Sequence, residues 1–235
     1  ILLKKLPLGL TTAYSPRGPL FSSREALDSI LNTGAKLLKA EKALVWKMDP
    51  AIPDQDPLWL SCAHDQGLRF VDTGLDFAGV QPRYVMTLDL RPSPETLLKN
   101  IKSKTRYNIG YAERKGVRIV RAKERALMNV FYCLLQETAS RDGFTIRAVD
   151  YYEAMWDHLV KHNLAQLFLA YHESTALAGA ICFRLPHRVW YVYGASSNEK
   201  RNLQASHLIQ WEMIRWAKSL GSKVYDFRGV SGNLD

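Results

Sequence analysis

Apolar and polar positions alternate along this chain with two different periods, and the switches between them outline its elements. Residues 1–15 read as one strand that runs into the turn Ser15-Pro16-Arg17-Gly18-Pro19. The pair Ser22-x-x-Glu25 has the form of a capping box, and Leu27, Ile30, Leu31, Leu37 and Leu38 continue at helical spacing to about Ala40. Residues 43–46 predict a short buried strand ended by Asp49-Pro50, then a polar, Pro-rich loop to about Pro57. Residues 84–90 alternate as a strand. A helical stretch spans residues 94–116. Beyond it the pattern predicts a strand at 117–120, helices at 124–140 and 150–161, and strands at 166–171, 176–183 and 189–195. A long helix at 202–220 carries the stripe Ala205, Leu208, Ile209, Met213, Trp216 and Leu220, with Gly221 just past its end. Trp211 and Trp216 read as packing residues. A last strand occupies 223–227.

Composition narrows the class without fixing it. The 235 residues are 47% hydrophobic and 23% charged, enough for one large domain or two small ones. A formal net charge of +9 favours polyanionic partners, so nucleic acid, phosphorylated small molecules and peripheral contact with an anionic inner membrane face all stay open. Cys62, Cys133 and Cys182 lie far apart and form no C-x-x-C pair, which predicts buried free thiols in a reducing, cytoplasmic compartment. The six histidines form no metal or nucleophile pattern, Ser231-Gly232 lacks a nucleophile-elbow context, and no metal or cofactor is expected. No apolar run approaches a membrane span of about 20 residues.

The basic stretch 94–116 holds Lys99, Lys102, Lys104, Arg106, Arg114 and Lys115 against only Glu95 and Glu113. It marks a junction, with a first domain at 1–98 and a second at 99–235. Lys102, Lys104 and Arg106 are candidate nucleic-acid contacts, against the alternative of a solvated helix face. The second half resembles the mixed α/β fold of the Gcn5-related N-acetyltransferases, in mostly antiparallel sheets flanked by helices. Members that use coenzyme A place glycines before the long helix so that backbone N–H groups can approach a pyrophosphate. Here residues 196–205 contain no glycine, and Glu199 would repel such a group. A donor other than coenzyme A is expected.

Several ordered segments together resemble the Fem (FemABX) aminoacyltransferases, which build peptidoglycan cross-bridges. They are Tyr14-Ser15-Pro16-Arg17-Gly18-Pro19, Lys47-Met48-Asp49-Pro50, Gln81-Pro82-Arg83 with Leu88-Asp89-Leu90, and Lys102-Ser103-Lys104-Thr105-Arg106. Then come Glu113-Arg114-Lys115-Gly116-Val117, Arg141-Asp142-Gly143-Phe144, Trp190-Tyr191-Val192-Tyr193-Gly194-Ala195-Ser196 and Tyr225-Asp226-Phe227-Arg228-Gly229-Val230. The resemblance implies two acyltransferase-like domains with the substrate in a cleft between them, and an arm-less, FemX-like member. It also implies that the chain starts inside the first domain and that a functional lysine lies beyond Asp235. The implied activity moves an amino acid from aminoacyl-tRNA to the stem-peptide amine of a UDP-linked or lipid-linked precursor, by a monomer. Asp49 matches a family carboxylate near the reaction centre, expected to orient the amine, since an ordinary Asp is a weak base for an ammonium. Tyr193 matches a tyrosine lining that centre, with Tyr191 expected on the same strand face. Arg147 and Tyr151 match positions that hold precursor phosphates, and a guanidinium with a phenol suits a diphosphate. Leu44 replaces a family tyrosine. The rivals are a coenzyme A-dependent N-acyltransferase of the same fold, a non-catalytic RNA-binding module, and an aminoacyltransferase acting on proteins or lipids.

Overall fold

The computed structural model describes residues 1–53, 55–71 and 81–230. Its contacts separate two compact units, residues 1–83 and 84–230. The break thus falls before the basic stretch rather than within it, because the strand at Tyr84–Asp89 pairs with the last strand of the chain. The reading of Ser231-Gly232 lies outside the described residues.

The first unit is a three-stranded sheet in the order β1-β2-β3 with two helices. Residues 1–15 are two strands instead of one. β1 (Leu2–Lys5) and β2 (Thr11–Arg17) are antiparallel, joined through a 3₁₀ turn at Pro7–Gly9. Helix α1 (Arg24–Ala40) is capped one residue later than the sequence suggests, by the Ser23 hydroxyl accepting from Ala26 N–H at 3.2 Å. β3 (Ala43–Pro50) runs parallel to β2 as far as Pro50, so Asp49-Pro50 lies in the strand instead of ending it. Leu44 and Val45 are exposed, which corrects the expected buried strand. The Pro-rich loop leads into a helix, α2 (Pro57–Asp65), with Asp56 accepting from Trp59 N–H and Pro57 in the first turn. Leu27, Leu31, Trp59 and Cys62 form this unit's core.

The second unit has a six-stranded mixed sheet in the order β4-β9-β8-β7-β6-β5. Its strands are β4 (Tyr84–Asp89), β5 (Val117–Arg121), β6 (Ala165–His172), β7 (Thr175–Leu185), β8 (Arg188–Ser196) and β9 (Val224–Val230). All neighbours are antiparallel except β8 and β9. The basic stretch is two helices, α3 (Pro94–Asn100) and α4 (Ser103–Arg114). With α7 (Ala205–Ser219) they bury one sheet face around Ile109, Phe168, Cys182, Met213 and Tyr225. Helices α5 (Leu127–Asp142) and α6 (Val149–Met155) bury the other face around Phe131, Tyr152, Leu167 and Ile181. Strand period two explains the division: Leu167 and Leu169 face one layer, Phe168 and Ala170 the other. The class is mixed α/β.

Candidate functional site

On the α5–α6 face, Arg147, Tyr151 and Tyr193 come together. The Tyr151 and Tyr193 hydroxyls lie 3.0 Å apart, and the Arg147 guanidinium carbon sits 4.8 Å from the Tyr151 ring centroid. Two tyrosines not singled out from the sequence complete the wall. Buried Tyr152 meets the rings of Tyr151 at 5.3 Å and Tyr193 at 5.6 Å edge-on, and Tyr132 at 5.6 Å. The Tyr132 hydroxyl donates to the Arg147 carbonyl at 3.3 Å, anchoring the backbone that presents the guanidinium. Burial first, then the Tyr151 hydrogen bond, pushes the Tyr193 phenol well above its ordinary pKa. It therefore stays protonated at neutral pH and can orient a group but not act as a base. An exposed guanidinium beside two phenols offers several donors to an anionic oxygen cluster.

Tyr191 does not share the Tyr193 face. The pairing shifts between Ile181↔Tyr193 and Cys182↔Tyr191, so Val192 is an extra residue, a β-bulge that turns the two rings to opposite sides. Tyr191 packs in the α4–α7 layer and Tyr193 in the α5–α6 layer. Gly194 permits this arrangement, since a Cβ there would collide with the Tyr191 hydroxyl. Beyond the bulge β8 and β9 part: their parallel ladder covers only Arg188↔Val224, Val189↔Tyr225 and Trp190↔Asp226. Where they separate, nearly buried Asp226 accepts from Arg228 N–H at 2.7 Å and from Arg188 at 3.4 Å.

The turn from β8 to α7 keeps its shape without glycine. Lys200 and Gln204 adopt positive φ of 45° and 59°, and α7 starts at Ala205, after a 3₁₀ turn at Arg201–Leu203. Side chains of α5 hold the turn in place. The Glu137 carboxylate accepts from Asn198 N–H at 2.6 Å, and Arg141 donates to the Ser196 carbonyl at 3.0 Å and the Asn198 amide oxygen at 2.9 Å.

Asp49 belongs to the first unit, on β3. Its carboxylate accepts from the Tyr14 hydroxyl at 2.5 Å and the Arg17 backbone N–H at 2.7 Å. Arg17 holds a positive φ of 54°, which aims its N–H at the carboxylate. Burial, then Asp49, pushes the Tyr14 phenol up to about 12. The parallel pairing of β2 with β3 brings Tyr14 and Asp49 together across 35 residues, a partnership no local pattern discloses.

Among the basic candidates, Lys102 and Lys104 are exposed. Arg106 is occupied structurally: its guanidinium donates to the Lys99 carbonyl at 2.7 Å and the Ile101 carbonyl at 3.0 Å, closing the end of α3. Cys62 and Cys182 are buried as expected, but Cys133 is exposed on α5. No helix among the described residues is long and apolar enough to cross a membrane.

Comparison with known proteins adds to this geometry. The model of the FemAB family matches residues 63–174 and 160–235. A lipid II:glycine glycyltransferase of Staphylococcus haemolyticus (strain JCSC1435) is 26% identical, with all of this chain aligned to 73% of that protein. The lipid II:glycine glycyltransferase of Staphylococcus aureus is 25% identical, with the same coverage. A crystal structure of FemX superposes on 99% of this chain and 76% of its own, with a TM-score of 0.88 at 24% identity. That likeness establishes a shared fold.

Proposed function

Because the chain belongs to the FemAB family, we propose that it transfers an amino acid from aminoacyl-tRNA to the stem-peptide amine of a peptidoglycan precursor in the cytoplasm. The observation that carries this reading is the Arg147–Tyr151–Tyr193 constellation beside the point where β8 and β9 part. Its relatives' action on lipid II supports a cell-wall acceptor. In this reading the two compact units are two acyltransferase-like domains of one monomer.

Arg147 and Tyr151 hold the precursor's phosphates, and Tyr193 orients a group at the reaction centre. Asp49, fixed by Tyr14 and Arg17, orients the attacking amine. If that amine is a lysine side chain, making it neutral near pH 7 costs roughly 4–5 kcal/mol. Its nitrogen then attacks the ester carbonyl carbon of the aminoacyl-tRNA. A C–N bond forms, the bond from the acyl carbon to the ribose oxygen breaks, and the proton lost by the amine passes to that oxygen, which leaves as the ribose hydroxyl. The glycine-free turn before α7 supports a donor other than coenzyme A, since Gln204 puts a side chain at the helix start. A lipid-linked acceptor would bring the basic protein into peripheral contact with the inner membrane face.

The test is transfer of labelled amino acid from tRNA to UDP-linked and lipid-linked muropeptides. Arg147→Ala is expected to raise the apparent KM for the precursor roughly tenfold or more, with kcat much less changed, because a charge-assisted hydrogen bond contributes about 1.5–3 kcal/mol. An unchanged KM would remove the phosphate role from Arg147. Absence of transfer to either acceptor would end the proposal.

A further inference from the structure

We infer that α4 is a stacking platform for the unpaired end of an RNA, formed by Tyr107 and Tyr111 and edged by Lys104, Arg114 and Lys115. This rests on the RNA-borne donor proposed above and assigns it a surface.

Lys104, Tyr107, Tyr111 and Arg114 recur at intervals of three and four and therefore share one helix face. The buried residues of α4 are Ile109 and Ala112, which lie on its other side. The Tyr107 and Tyr111 rings are stacked, with centroids 6.0 Å apart and planes 28° from parallel. The Arg114 guanidinium lies 5.9 Å from the Tyr107 centroid, and the Lys115 ammonium 5.6 Å from that of Tyr111. Tyr107 is 61% exposed, so core packing does not account for it. Glu113 is the one acid in the helix, and Lys104, Arg114 and Lys115 form no ion pair among the described residues.

Stacked phenols flanked by unpaired cations suit a single strand, whose bases need flat faces and whose phosphates need charge. An anionic bilayer would use the cations and could seat the rings at its headgroups, but it would show no preference for a single-stranded RNA end, and that preference is what separates the two occupants. The platform also adjoins the start of α7. Asn108 lies 3.5 Å from His207 in the first turn of α7, next to the turn that follows β8. Lys104 is close enough to His207 to help burial hold its pKa down.

The full chain should bind a hairpin RNA with a short single-stranded 3′ end more tightly than the same hairpin with a blunt end, by fluorescence anisotropy. Tyr107→Ala should weaken binding of the overhang form about tenfold while leaving its salt dependence intact. Tyr107→Phe should restore it to within about twofold, because the stacking face survives. Lys104→Ala should instead reduce the slope of log K against log salt by about 0.7, one phosphate contact on a single strand. Overhang binding by Tyr107→Ala equal to the wild type would overturn the platform, as would equal affinity for blunt RNA. Tighter binding of the same face to phosphatidylglycerol vesicles, with no overhang preference, would overturn it too. If these occur while transfer from tRNA continues in the Tyr107→Ala and Tyr111→Ala variants, only the platform falls. A wild type that neither binds tRNA nor uses it as donor removes the functional proposal as well.

Discussion

Asp49 shows how much of one residue's setting comes from distant partners. Its Asp-Pro context suggests a strand-ending turn, yet the carboxylate lies inside a parallel ladder and takes two hydrogen bonds from β2. A hydrogen bond to a charged group contributes about 1.5–3 kcal/mol, less where water screens it. Tyr14→Phe is therefore expected to lower the unfolding free energy by about 1–2 kcal/mol in urea titrations. Asp49→Ala combined with it should show coupling, because each change removes the hydroxyl–carboxylate contact. Additive losses in that double-mutant cycle would mean that the contact contributes nothing. In the second unit Tyr151 and Tyr193 meet although 42 residues separate them. The sequence singles out both residues through family resemblance, but the hydroxyl contact and the supporting Tyr132 and Tyr152 come only from folding.

At the scale of elements, legibility tracks how local the determining physics is. The strands and helices of the second unit match their periodic patterns within a few residues, because each strand of the sheet is packed on a definite face and each helix has one apolar stripe. The errors arise where a single irregular residue decides. Val192 inserts a bulge that sends Tyr191 to the opposite side from Tyr193. The 3₁₀ turn at Pro7–Gly9 divides what reads as one strand. Helix α2 carries an Asp-Pro start at residues 56–57, a legible signal hidden by the surrounding prolines. Packing can also oppose propensity. Gly34 lies in the middle of α1, where alanine would gain about 1 kcal/mol of helix propensity. A Cβ there would run into the Trp46 ring, with Cζ3 at 2.7 Å, and that ring is pinned by its N–H donating to Ser15 at 2.8 Å. Overpacking of this kind costs about 1–3 kcal/mol. Gly34→Ala should thus lower the urea midpoint, and a raised midpoint would show that Trp46 can move aside.

Across the whole molecule, acid–base groups buried in the two cores make stability depend on pH on the alkaline side. Burial pushes the Cys182 thiol up to about 12, and burial with the Asp28 contact raises that of Cys62 from the ordinary 9.0. Tyr14 is raised to about 12, and burial raises Tyr152, Tyr171, Tyr191, Tyr193 and Tyr225 above the ordinary 10.0. In each case the folded chain keeps a proton at a pH where the unfolded chain gives it up. Bound protons are then more numerous in the native state, and stability must fall as pH rises. The stabilisation is complete below the unfolded thiol values, starts to be lost near pH 9 and is lost more steeply above pH 10 as the tyrosines join. Urea unfolding between about pH 7.5 and 10.5 should give a steadily decreasing free energy, and unfolding at the upper end should release protons into the buffer. A flat or rising profile across that window would mean that these thiols and phenols reach water in the native protein, and that the cores on both faces of the six-stranded sheet are looser than their packing indicates.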